Sequence, residues 1–138
     1  METYYKVLGE GRKCFHGGKG SWPPVGEWLG PIKGKIIPCQ NAIHLLKRAH
    51  VKKWVGPTLW IVEVKGGVEI FEHRGDKLYT SGPVRLIKQL IWGRKEAVLW
   101  AADCAERVLP IFEKKYPADN RPRKAISAAR GTAHAAYA

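Results

Sequence analysis

The chain has 138 residues, 45% of them apolar, and carries 24 Lys+Arg against 12 Asp+Glu, a formal net charge of +12. This length suits one domain, and the apolar content excludes a disordered tail. No apolar run approaches the ~20 residues of a membrane span, and the start, Met1-Glu-Thr-Tyr-Tyr5, shows no signal-peptide pattern, so neither is expected. So large a positive excess repels itself and points to an anionic partner.

Thr3–Leu8, rich in β-branched and aromatic residues, predicts an opening strand. Ten Gly and Pro residues between Gly9 and Pro31 then break the pattern, so strands such as Arg12–Phe15 or Gly34–Ile37 must be short. Asn41 is placed to cap a helix running to about Lys53, with Ala42, Leu45, Leu46 and Ala49 as its buried stripe. Leu59–Val64 reads as a largely buried strand. Lys65-Gly-Gly67 is a loop returning into a strand at Val68–His73. Arg74-Gly-Asp76 is the next turn, and Val84–Trp92 a further strand.

From Arg94 the period becomes helical. Val98, Ala101, Ala105, Val108, Leu109 and Phe112 form the expected buried stripe, broadened by Trp100 and Cys104. Pro110 lacks the N–H that would bond to residue 106, so a disturbance is expected there. Asn120 caps a last helix carrying Ala125, Ile126 and Ala129 inward. The expected fold is α+β: a small, mostly antiparallel sheet with an intervening helix and a C-terminal helical hairpin. One domain would span residues 1–131, β-rich over 1–93 and helical over 94–131, with a frayed tail at 132–138.

Two resemblances accompany this reading. Leu59-Trp-Ile-Val-Glu-Val-Lys-Gly66, Glu72-His-Arg-Gly-Asp-Lys-Leu78 and Val84-Arg-Leu-Ile-Lys-Gln-Leu90 resemble a domain family of unknown function found in bacteria and their phages, over residues 37–92. Its usual Cys…His segment is here Cys39-Gln-Asn-Ala-Ile-His44, without the common Gly-Phe-His form. Residues 99–130, from Leu99-Trp-Ala-Ala-Asp-Cys104 through Tyr116-Pro117 to Ala129-Arg130, are similar to the helical unit of proteins described as immunity proteins. The resemblances imply a bacterial or bacteriophage origin and no established chemistry.

The densest basic segment is Lys47-Arg-Ala-His-Val-Lys-Lys53-Trp54. On the expected helix, His44, Lys47, Arg48 and Lys52 align opposite the apolar stripe and could track phosphates. Lys47, Arg48, Lys52, Lys53 and Trp54 are therefore the candidate nucleic-acid site, with Trp54 able to stack on a base. The same residues also fit a solvated helix face with Trp54 in the core. Arg121, Arg123, Lys124 and Arg130 form a second basic cluster, equally consistent with a solvated face.

Catalytic and metal residues are not expected. His16-Gly-Gly-Lys-Gly-Ser21 lacks the GxxxxGK[ST] order of a phosphate loop and reads as a turn. The five histidines show no HExxH, and the three cysteines no CxxC, which fits free thiols in a reducing cytoplasm. Cys39 and His44 would diverge across the start of a helix, and Cys104 would be a core residue. The reading favoured is a non-enzymatic accessory protein without cofactor or membrane partner, binding nucleic acid. The competing reading is a protein–protein inhibitor that neutralises a host or toxin protein. An ADP-ribosyltransferase-like enzyme is a weaker alternative, since no complete set of its NAD-binding and catalytic residues is present.

Overall fold

The computed structural model describes residues 2–137. Alternating burial explains where its strands form: inward side chains repeat every second residue, and polar ones take the other face. Strand β1 (Tyr4–Leu8), β2 (Ile43–Leu45), β3 (Thr58–Val64), β4 (Ile70–His73), β5 (Lys77–Thr80) and β6 (Val84–Gln89) are followed by helices α1 (Arg94–Lys115) and α2 (Arg121–Tyr137). In β3 Trp60 and Val62 are buried, in β5 Leu78 and Thr80, and in β6 Val84 and Leu86. The chain divides into two units, residues 1–91 and 92–138.

The first unit holds two three-stranded antiparallel sheets, ordered β1-β3-β6 and β2-β5-β4. They meet where Tyr5 and Leu46 exchange backbone hydrogen bonds of 2.8 and 2.9 Å. One core serves both: Leu8, Trp60, Val62, Val84 and Leu86 from the first, Ile43, Leu45 and Leu78 from the second, and Trp22 from the intervening loop. Each large apolar side chain so buried contributes roughly 1.5–3 kcal/mol. Buried Thr80 is fully satisfied, donating to the Glu69 carbonyl at 2.8 Å and accepting the Gly82 N–H at 3.2 Å. Gly82 sits at φ +74, where a Cβ would lie 2.8 Å from Ile43 Cδ1 and 3.0 Å from the Leu29 carbonyl. That absence of a side chain lets Leu29 pair with Val84 along the free edge of β6.

The α+β class, the antiparallel pairing and the C-terminal hairpin are as the sequence predicts, but three local expectations are corrected. The strands form two sheets, because β3 pairs with β1 and β6 while β4 pairs with β5, a strand the sequence reading missed. The expected helix from Asn41 is a strand, β2, followed by a short 3-10 helix at Arg48–Lys53. Ile43 and Leu45 are buried at a spacing of two against β5, while Ala49 of the supposed stripe is exposed. Tertiary pairing overrides local propensity there. Asn41 does not cap a helix; its amide donates to the carbonyls of Lys33 and Lys35, both at 2.9 Å.

In the second unit, α1 and α2 pack as a hairpin. Ala102 and Leu109 of α1 and Ala133 of α2 are buried, with Phe112 and Ile126 partly so. Cross-helix ion pairs align the helices: Arg123 with Glu113 at 2.5 Å, and Arg130 with Asp103 and Glu106. Helix α1 continues through Pro110, and Gly131 lies within α2. The expected α1 stripe is corrected: Val108 is 59% exposed, and Cys104, Ala101 and Ala105 are also exposed. Packing against α2 buries only a narrow face of α1, so a broad apolar stripe leaves residues on its flank exposed.

Candidate functional site

Strand β1 carries Lys6, β2 carries His44 and β5 carries Lys77, and all three side chains line one cleft in the first unit. The cleft has a volume of about 830 Å³, within the range of small-molecule sites. The glycine-rich loop contributes His16 and Lys19, and Trp22 and Trp54 add aromatic wall. Among the described residues no Asp or Glu lines it.

The cations are held by neutral partners. The Lys6 ammonium donates to the His44 carbonyl at 2.9 Å and lies 5.4 Å from the centre of the Trp22 ring. Burial, opposed by the nearby Cys14 sulfur and reinforced by Lys77, lowers its pKa to about 8. Lys77 Nζ sits 3.1 Å from Cys39 Sγ and 5.0 Å from the centre of the Trp54 ring. His44 Nε2 accepts the Cys39 backbone N–H at 3.0 Å, so its proton resides on Nδ1. Burial, then Lys6, Lys77 and His73, push His44 down to about 4. The cleft is therefore a region of concentrated positive potential around a neutral imidazole.

This arrangement corrects the expectation that Cys39 and His44 diverge. A turn closed by Ile37 and Asn41, and not a helix, connects them, and Cys39 takes φ +63 within it. The imidazole thereby meets the Cys39 backbone, while the thiol meets Lys77. Cys14, Cys39 and Cys104 are free. Among the described residues no three His, Cys, Asp or Glu side chains converge as a metal site would require.

The segment 47–54 is divided by the fold. Lys47 bonds Glu72 at 3.0 Å and lies 3.8 Å from Glu2, which raises its pKa and lowers that of Glu72. Arg48, Lys52 and Lys53 are exposed on the 3-10 helix. His50 is buried, its Nδ1 accepting the Lys47 backbone N–H at 3.1 Å. Trp54 is half-buried, donating from Nε1 to the Asp76 carbonyl at 2.8 Å and standing edge-on to His16. Of the five sequence-predicted site residues only Trp54 lines the cleft. Lys6 and Lys77 escaped sequence reasoning because they lie on separate strands with no local spacing to link them to Cys39 and His44, whose proximity the expected helix start argued against. The Gly-rich loop was legible as a turn but not as a cleft wall.

The second basic cluster is largely engaged. Arg123 and Arg130 hold the cross-helix pairs, and Arg121 bonds Asp119 at 2.7 Å. That contact and the Arg121 backbone N–H draw the Asp119 carboxyl down to about 2. Asp119 thus bonds the first N–H of α2.

Among known proteins, the model of a family described as "Imm-5 like putative immunity protein" matches residues 92–136. The match covers the helical hairpin and contains the stretch 99–130 whose resemblance was read from sequence. No curated protein and no solved structure matches the chain.

Proposed function

We propose that this is an immunity-type protein of a bacterial or phage setting, which binds and neutralises another protein through its C-terminal hairpin. The observation that carries this reading is the family match over both helices, residues 92–136. The exposed side of α1 supports it: Trp100, Cys104, Val108 and Ile111 fall on one face, with Ile111 75% and Val108 59% exposed. Large apolar groups outside a core are the anchors of protein interfaces. The test is co-expression of the full chain with a panel of toxic bacterial effector domains. Growth should be restored against one of them, with a complex of fixed stoichiometry by size exclusion. Val108→Asp with Ile111→Asp should abolish both while leaving the helical signal intact. Rescue of none by the folded chain counts against the reading, and rescue indifferent to the double variant removes the hairpin from the interface.

A second reading, nucleic-acid binding by the first unit, is favoured by one observation. Arg48, Lys52 and Lys53 project from the 3-10 helix with no ion pair among the described residues, whereas Lys47 is already paired. Three unpaired cations on one short element are what contacts to backbone phosphates require.

A further inference from the structure

We propose that the cleft lined by Lys6, His44, Trp54 and Lys77 binds a phosphomonoester joined to a nucleobase, either a free nucleotide or the phosphorylated end of a nucleic acid strand. The described residues lining this cleft all belong to the first unit, and of the segment 47–54 they include Trp54 alone, so its test is distinct from those above. An ammonium withdrawn from water is stabilised by a counter-charge, and a carbonyl and a ring face supply only part of it. Among the described residues Lys6 has those two contacts and the pull of the nearby Cys14 sulfur, Lys77 has a thiol and a ring, and no Asp or Glu lines the cleft. Lys6 and Lys77 sense each other electrostatically, so one doubly charged group between them would satisfy both. A phosphomonoester carries nearly two charges and three strong acceptor oxygens.

The ring comes from the rest of the wall. Phe15 and His16 stand edge to face at 4.8 Å, and His16 and Trp54 at 5.2 Å, forming a contiguous aromatic rim. All three line the same cleft as the lysines. A base against such a rim gains stacking energy irrespective of its identity. The volume of about 830 Å³ suits a mononucleotide.

The experiment is calorimetric titration of the full chain with AMP, GMP, CMP and UMP, then with inorganic phosphate, free nucleosides, and a short oligonucleotide with and without its 5′ phosphate. At least one monophosphate should bind, with phosphate and nucleoside alone weaker by about tenfold or more, because each supplies only half of the contacts. Lys77→Met should weaken binding by at least about tenfold, and Lys6→Met likewise, while Lys88→Gln on the exposed end of β6 leaves it unchanged. If Lys6→Met fails to fold, acylation of Lys6 in the wild-type chain, slowed by bound nucleotide, reports the same contact. Preference for the phosphorylated oligonucleotide over the mononucleotides identifies the strand end as the ligand, and the reverse identifies the free nucleotide. Binding of no monophosphate and no phosphorylated end, or binding indifferent to both lysine variants, overturns the proposal. Inorganic phosphate binding as tightly as any nucleotide overturns the nucleobase part of it.

Discussion

Lys6 and His44 make stability depend on pH at opposite ends of the scale. The Lys6 amine titrates at about 8 when folded and at 10.5 when free, so between these values the unfolded chain holds more protons. Stability should therefore rise with pH across that window, by a few kcal/mol at most, the burial cost being fully present below it. His44 titrates at about 4 when folded against 6.5 when free, so stability should fall as pH drops through that interval. Denaturant unfolding across pH checks both: Lys6→Met should flatten the alkaline rise and His44→Gln the acid loss. An acid limb unchanged in His44→Gln would place the loss on other groups. Gly56 gives a steric counterpart, since a Cβ there would collide with Val7 Cγ1 and lie 2.8 Å from Phe15 Cδ1. Gly56→Ala should cost about 1–3 kcal/mol by overpacking, read as a lowered denaturant midpoint.

At the scale of elements, adjacent residues of α1 should behave oppositely. Leu109 is 4% exposed and Val108 59% exposed. Leu109→Asp should destabilise by several kcal/mol, because an unpaired charge enters the hairpin interface, whereas Val108→Asp should stay within about half a kcal/mol. Thermal unfolding followed by far-UV dichroism of the full chain distinguishes them, and equal effects would contradict the packing of α1 on α2. Helix α1 was legible because its apolar period persists from Val98 to Phe112, about four turns. Which of its faces is buried was not, since Val98 to Phe112 offers apolar residues on more than one side. β2 was misread for a related reason: Ala42, Leu45, Leu46 and Ala49 fit a helical stripe, while Ile43 and Leu45 fit a strand. Three residues are too few for periodicity to decide, and pairing with β5 does.

Across the whole molecule the net positive charge is spread evenly along the chain, and the two units differ in how much of it is ion-paired. Fifteen of the 24 Lys+Arg and seven of the 12 Asp+Glu lie in residues 1–91, and the cross-helix pairs engage two cations of the hairpin, Arg123 and Arg130. If the first unit holds nucleic acid through the 3-10 helix, affinity should fall steeply with salt. Replacing Arg48, Lys52 and Lys53 with Gln should then reduce the log–log slope by about three, near 0.9 per phosphate contact. Titration of labelled DNA and RNA at two salt concentrations measures this, counting only binding that persists near physiological ionic strength. A slope unaltered in the triple variant would discard that helix as the contact. Among the described residues, no helix is long and apolar enough to cross a membrane.

The amino-acid order alone determined the α+β class, the positions of β1, β3, β6 and α1, the start of α2, and the likeness of the C-terminal third to immunity proteins. Each of these rests on local periodicity, on turn residues or on a contiguous stretch of chain. Only the tertiary structure decided which strands pair, which flank of α1 stays in solvent, and that Lys6, His44 and Lys77 meet around one cleft. Those outcomes depend on contacts between residues tens of positions apart, such as Lys6 with His44 and Cys39 with Lys77. Local spacing carries no signal for them, because the free energy that selects them comes from burying a core shared by both sheets.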